Sequence, residues 1–204
     1  MKRTLLILIA AFSLLLFNSC KDEEPAKPIP AIKMITKITS LVGISKQDAQ
    51  IKLESWGYNY IRSEELGENN IFYSFENQSS SSSYTLHERN NKIYLCEYSE
   101  NRSKTIALDH FEKFSKEGIE YLLDKTYSYE GLAKDIDYQI STFGTHQVFM
   151  EYYSLKKTYL QSCSEIWDRI NERVATKYVV NYESFRAYIS YIDKTNAPPS
   201  MFQK

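Results

Sequence analysis

The sequence has few of the residues from which enzyme active sites and metal sites are usually built. Its 204 residues include only three histidines, three cysteines and six glycines. None of the histidines (His87, His110 and His146) stands three to five residues from another histidine or a cysteine, the usual spacing of zinc ligands. The motifs HExxH, GxSxG and GxGxxG are absent, and so is a phosphate-binding loop. The sequence therefore predicts no catalytic residue, no metal and no cofactor.

A dominant charge of one sign is also lacking. The 25 basic and 26 acidic residues nearly cancel. Loss of the first 20 residues removes Lys2 and Arg3 but no acidic residue, which leaves a net charge of 23 − 26 = −3. Binding to nucleic acid through its phosphates relies on an excess of positive charge. The charge balance therefore argues against nucleic acid as a partner.

The first 19 residues have the pattern of an export signal. Lys2 and Arg3 precede an apolar run from Leu5 to Phe17 that is too short to span a bilayer comfortably. The run ends at Phe17-Asn18-Ser19-Cys20, which resembles a bacterial lipobox, although Asn18 departs from the usual small residue. This resemblance implies cleavage before Cys20 and acylation of its thiol. The alternative is an ordinary secretory peptide with a chance cysteine.

The residues that follow predict a tether and a location. Lys21-Asp22-Glu23-Glu24 resembles the acidic export signal behind the lipidated cysteine of surface-exposed lipoproteins of the Bacteroidota. The resemblance implies a palmitate-bearing lipoprotein of the outer membrane that is exposed at the cell surface. A solvated spacer is the alternative, since acidic residues are common in linkers. Three prolines make residues 20–31 a stiff, extended tether.

The part of the chain beyond residue 31 is predicted to be α+β, with antiparallel meanders and helices packed on one face. Ser45 is a good N-cap for a helix over residues 46–56, and a second helix is predicted over 108–117. Strands are predicted over 58–62, 71–75, 84–88 and 92–98, because these segments are aromatic or β-branched and are separated by polar turns. The five serines at 79–83 predict a mobile hairpin loop.

A degenerate repeat is also predicted. Residues 93–99 align with 148–154 as equivalent strands, the latter preceded by a β-like segment from Tyr138. This predicts two modules, 32–103 and 104–204, which could also be fused into one domain. The helix-then-strands order resembles the tandem layout of the β-lactamase-inhibitor-protein family, and Val42-Gly43-Ile44-Ser45 is similar to its Gly-x-Thr/Ser start. The later repeat lacks that motif, and no function is carried across.

The C-terminal region is predicted to add a helix and a hairpin. Apolar residues recur at helical spacing from Leu160 to Val174, and Glu165 and Arg169 would pair across one turn of that helix. The hairpin is predicted from residues 178–182 and 186–192. Cys96 and Cys163 are either two small buried hydrophobic residues or a disulfide, and the sequence leaves this open.

The abundant aromatic residue is tyrosine, with 17 residues against two tryptophans. Tyrosines suit recognition of a protein or glycan, but they are equally favoured in half-buried strands. The candidate binding residues are the tyrosines of the aligned segments: Tyr94, Tyr98, Tyr152 and Tyr153. The favoured hypothesis is a non-catalytic surface lipoprotein that binds a protein or glycan. The alternative is an envelope hydrolase that uses a pair of carboxylates, for which Glu64, Glu65 and Glu68 are among many candidates.

Overall fold

In the part of the chain that the structure describes, one antiparallel sheet of nine strands carries the α-helices on a single face. The computed structural model describes residues 32–136, 139–181 and 184–202, so the predicted signal, Cys20, the acidic cluster and the tether lie outside the described residues. The strands run in the order β1-β2-β3-β4-β9-β8-β7-β5-β6. Their bounds are β1 Asn59–Gly67, β2 Asn70–Asn77, β3 Ser82–Arg89, β4 Lys92–Arg102, β5 Ser128–Lys134, β6 Ile140–Phe143, β7 Ser162–Asp168, β8 Glu172–Asn181 and β9 Ser184–Asp193.

Among the described residues, four α-helices lie beside this sheet, and a short 3₁₀ turn is the last element at Pro199–Phe202. Ser45 caps the second helix by accepting a hydrogen bond from the Asp48 amide at 3.2 Å, as the sequence predicts. Thr145 caps the fourth in the same way, from the Val148 amide at 3.3 Å. The helices are α1 Met34–Thr39, α2 Lys46–Ser55, α3 Lys104–Leu122 and α4 His146–Lys156. None of the helices in the described ranges is long and apolar enough to cross a membrane.

The predicted α+β class with an antiparallel sheet is confirmed, and so are the first meander and the C-terminal hairpin. Residues 32–204 cluster as one unit, and position 103/104 falls between β4 and α3. The four strands before that position are joined to the later strands through β4 and β9, which pair antiparallel with Tyr98 opposite Ile189. The backbone hydrogen bonds of the sheet therefore run continuously across the predicted module boundary.

Two element predictions are wrong. Residues 148–154 are not a strand equivalent to 93–99 but belong to α4, where Phe149 and Tyr153 lie one turn apart on the buried side. The predicted helix from Leu160 to Val174 is instead β7, a turn and the start of β8. Cys163 and Trp167 face the core in either reading, because a spacing of four residues fits both a helix and a strand. The predicted Glu165–Arg169 pair does not form.

Smaller differences concern loops and cysteines. The turn after β2 ends at Ser81, so the last two serines of the predicted loop belong to β3. The helix predicted over residues 108–117 is longer in the structure, because α3 runs from Lys104 to Leu122 and includes Gly118. Tyr138, where a further strand was predicted to begin, lies outside the described residues. Cys96 and Cys163 are buried free thiols, and burial raises the pKa of both well above the ordinary value for cysteine.

The core lies between the helices and the sheet. Trp167 of β7 is fully buried beneath α3, at the point where that helix carries Gly118. A Cβ atom on Gly118 would stand only 3.1 Å from Cζ3 of Trp167, so the glycine allows the close approach of helix and strand. This packing holds α3 close above the central strands of the sheet.

Candidate binding cleft between α3 and α4

The helices α3 and α4 leave a cleft of about 530 Å³ between them on the helical face of the molecule. Ile119 and Met150 supply apolar surface within it. Side chains of both charges surround this surface, all of them from α3: Asp109, Glu112, Lys113, Lys116 and Glu120. The cleft therefore combines an apolar floor with a mixed-charge rim, which is a common composition of sites that bind ligands or partner segments.

His146 is the cleft residue with the most defined surroundings. Its side chain is 34% exposed, and its Nδ1 is 2.5 Å from Oε1 of Glu165, which is fully buried on β7. The same carboxylate accepts hydrogen bonds from the hydroxyl of Tyr129 at 2.8 Å and from the hydroxyl of Ser115. Three donors from three elements thus satisfy one buried carboxylate, as a group removed from water requires.

This network keeps the Tyr129 phenol protonated and orients the His146 ring. Burial and the neighbouring Glu165 carboxylate raise the pKa of the Tyr129 phenol, so the phenol stays protonated and donates its hydrogen bond. Because Nδ1 of His146 is engaged by Glu165, Nε2 is the nitrogen with which the ring can contact a ligand. The Ser115 hydroxyl bonds to Glu165 and not to His146, so the serine–histidine–acid order of a serine hydrolase does not form.

A second histidine–carboxylate pair joins the second turn of α3 to the end of β4. His110 Nδ1 is 2.7 Å from Oε2 of Glu100, a nearly buried residue at the end of β4. Tyr98 donates a hydrogen bond to the other oxygen of Glu100 at 2.7 Å, and Arg102 binds Oε2 at 3.1 Å. Neither histidine was identified as a site residue from the sequence, because each finds its partner only through the tertiary fold.

The four tyrosines proposed from the sequence do not share one surface. Tyr94, Tyr98 and Tyr153 are buried, and Tyr152 is half-buried. Tyr98 and Tyr153 lie in the core beneath the helices, whereas Tyr94 packs on the opposite face of the sheet with Leu95, Ile192 and Ala197. Tyr152 donates a hydrogen bond to Asp135 at 3.3 Å. Their main observed role is packing, which follows from the preference of tyrosine for half-buried positions.

Carboxylates also gather away from the cleft. Glu65, Glu68 and Glu88 line a polar cavity of about 490 Å³ at the β1–β2 and β3–β4 turns. Glu88 there accepts a hydrogen bond from the Tyr73 hydroxyl at 2.8 Å. Burial raises the pKa of Glu97, but this residue lies in the middle of β4, far along the strand from that cavity. Within the described ranges, no group of three or more acidic, histidine or cysteine side chains could hold a metal ion.

Comparisons with known protein families, with curated proteins and with solved structures found no match.

Proposed function

We propose that this chain is a lipoprotein of the bacterial outer membrane, exposed at the cell surface, whose sheet domain is a non-catalytic module that binds a protein partner in the cleft between α3 and α4. The sequence of residues 1–24 supports the anchor and its location, with Cys20 as the acylated residue. The observation that carries the binding function is the apolar floor of Ile119 and Met150 beneath a rim of both charges.

A lipid anchor explains how a chain with this leader would stay at a membrane. Each methylene group of an acyl chain contributes about 0.8 kcal/mol on burial in the bilayer, and stable attachment needs more than one chain. Diacylglycerol and a further acyl group on Cys20 would meet that need. The tether of residues 20–31 would then hold the sheet domain away from the lipid surface.

The composition of the cleft favours a protein segment over a glycan. Glycan sites commonly present a flat aromatic ring, whereas His146 is the only ring-bearing side chain among the described residues that line this cleft. Methionine adapts its shape to different apolar side chains, which suits recognition of a peptide segment. Lys113 and Lys116 can pair with acidic residues of a partner, and Asp109, Glu112 and Glu120 with basic ones.

The anchor is tested by replacing Cys20 with serine. We expect the C20S chain to lose incorporation of a labelled palmitate analogue and to leave the membrane fraction. A matched variant with Asp22, Glu23 and Glu24 all changed to alanine should keep the label but lose access to protease added outside the cell. Equal membrane association of C20S would refute the anchor, and unchanged protease access would refute the export role of the acidic cluster.

The binding cleft is tested by photo-crosslinking in living cells. A photoreactive amino acid at Lys116 should give a discrete crosslinked partner, whereas the same amino acid at exposed Lys92, on β4, should not. The change Ile119→Asp should abolish the product at Lys116 while leaving the circular dichroism spectrum unchanged. Equal products at both positions, or a product that survives Ile119→Asp, would refute a specific site in this cleft.

A hydrolase is the second candidate, because His146 is oriented by a buried carboxylate in the manner of a general base. We expect purified protein to release no fragments from envelope polysaccharide or peptidoglycan. If fragments are released and His146→Ala abolishes their release while the domain stays folded, the non-catalytic proposal fails and the hydrolase replaces it.

A further inference from the structure

The strand β1 forms one edge of the sheet, and one side of its backbone has no strand beside it among the described residues. All nine of its residues are exposed. Tyr60, Ile61 and Leu66 are large apolar residues among them. The strand contains neither proline nor lysine, which natural proteins often place on edge strands to prevent pairing with another chain.

Two of the three charges of β1, those of Arg62 and Glu64, lie on one face and have no partner of opposite charge within the described chain. Arg62 lies opposite Ser74 and Glu64 lies opposite Phe72 in the β1–β2 ladder, so both side chains point to the same face of the sheet. The Arg62 guanidinium lies 5.5 Å from the centre of the Phe72 ring, which holds it on that face. Register irregularities bound the regular segment at Tyr60/Arg62 and at Glu65/Gly67.

We propose that β1 pairs antiparallel with β1 of a second copy of this chain, about a two-fold axis at Ser63. This register sets Arg62 of each copy directly opposite Glu64 of the other, and so satisfies four otherwise unpaired charges with two ion pairs. The two sheets become one continuous sheet, with the helices of both copies on the same side.

Alternative registers are less favourable for physical reasons. With a two-fold axis perpendicular to the sheet, residues that lie opposite each other point to the same face only when one residue lies opposite its own copy across the axis. Centring the pair on Arg62 places two arginines opposite each other, and centring it on Glu64 places two glutamates opposite each other. Like charges directly across a strand pair are destabilising, whereas opposite charges stabilise it. The charge pattern therefore selects Ser63 as the centre.

The pairing is tested with the full chain in the cell envelope. Ser63→Cys places two thiols opposite each other at the axis, and mild oxidation should give a disulfide-linked dimer on a non-reducing gel. In the matched control Glu65→Cys, the two thiols lie about four residues apart along the strands, roughly 13 Å, which is too far for a disulfide. The parent chain, whose Cys96 and Cys163 are buried, gives the background.

Charge reversal tests whether the disulfide depends on this register or forms by chance collision of two chains. In the Ser63→Cys chain, Arg62→Glu or Glu64→Arg alone should slow dimer crosslinking about tenfold, and the two changes together should restore it. Equal crosslinking by Glu65→Cys, no crosslinking by folded Ser63→Cys, or no rescue by the double reversal would overturn the proposal. A crosslinked product of another mass would identify a different partner for β1 and would also overturn it.

Discussion

Glu165 of β7 and His146 of α4 form a hydrogen bond across 19 residues of sequence, and this bond ties a helix to the middle of the second half of the sheet. This position of the Glu165 carboxylate has two effects. The buried carboxylate holds the histidine ring at the edge of the cleft. It also concentrates three hydrogen-bond donors on one group, so stability near the cleft depends strongly on that group.

We expect Glu165→Ala to lower the free energy of unfolding by about 3 kcal/mol. The change leaves the donors of Ser115, Tyr129 and His146 without their acceptor in a buried place, and each unsatisfied buried group costs about 1–3 kcal/mol. Urea denaturation followed by the fluorescence of the buried Trp167 measures the loss. Exposed Glu130, on the neighbouring strand β5, provides the control, and Glu130→Ala should change stability by less than about 0.5 kcal/mol. Equal effects of both changes would contradict this view of the network.

Changing each of two glycines near α4 to alanine should have opposite effects on the stability of the fold. A Cβ atom on Gly131 would stand 2.5 Å from the Tyr129 hydroxyl and 3.0 Å from Cδ2 of Phe149. Because Tyr129 is held by Glu165, Gly131→Ala should destabilise the fold by roughly 1–3 kcal/mol. Gly144 has no atom within 4 Å of the corresponding position, so Gly144→Ala should be neutral or stabilising by up to about 1 kcal/mol. Thermal unfolding of both variants measures the contrast, and a loss of stability in Gly144→Ala as large as in Gly131→Ala would refute it.

The sequence predicted the first meander well because its signals are local. Ser45 caps its helix, and the Asn90-Asn91 turn has φ values of 52° and 60°, a conformation that asparagine tolerates better than most residues. Buried and half-buried residues alternate along β3, which gives a period of two. Each of these signals acts within a few residues, so none of them needs the tertiary fold.

The later half was harder to predict because its apolar spacing fits two structures. Cys163 and Trp167 are four residues apart, and the sequence pattern predicts that Glu165, between them, pairs with Arg169 across one turn of a helix. In the fold Glu165 is buried, because hydrogen-bond donors on α3, β5 and α4 converge on it. A charged residue in a strand centre is acceptable only with such partners, and these are distant in sequence. The cleft could not be predicted for the same reason, because its residues on α3 and α4 are far apart in sequence.

The lowered pKa of His87 predicts that the stability of the fold depends on pH near neutrality. Burial lowers the pKa of His87, which lies on β3 with its ring against Phe72 and Tyr94. The unfolded chain takes up a proton near the ordinary value of about 6.5, while the folded chain does so only at lower pH. The contribution of His87 is thus fully present above about pH 6.5 and is lost as the pH falls through its folded value. We expect the free energy of unfolding to fall from pH 7 to pH 5.

Replacement of His87 by glutamine, which does not titrate, tests this assignment. The slope of unfolding free energy against pH between 7 and 5 should be smaller in His87→Gln than in the parent chain, whatever the absolute stability of the variant. The slope is the relevant measurement, because loss of ring contacts alone would shift both ends of the profile equally. Identical slopes would show that His87 does not titrate differently in the folded and unfolded states.

At lower pH the carboxylate of Asp168 should control a separate loss of stability. Partial burial opposes ionisation of Asp168, but the hydrogen bonds and positive charges of Arg173 and Lys194 outweigh it and lower the pKa of the carboxyl. A group whose folded pKa is lowered stabilises the fold above its unfolded pKa of about 3.9, and this contribution is lost as the pH falls through the folded value. Asp168→Asn should therefore reduce stability at pH 7 but lose less stability than the parent chain between pH 4 and pH 2.

The exposed Asp124→Asn serves as the control, and urea denaturation across this range should show its profile parallel to that of the parent. If Asp168→Asn also remains parallel to the parent, the ion pairs with Arg173 and Lys194 do not stabilise the folded chain.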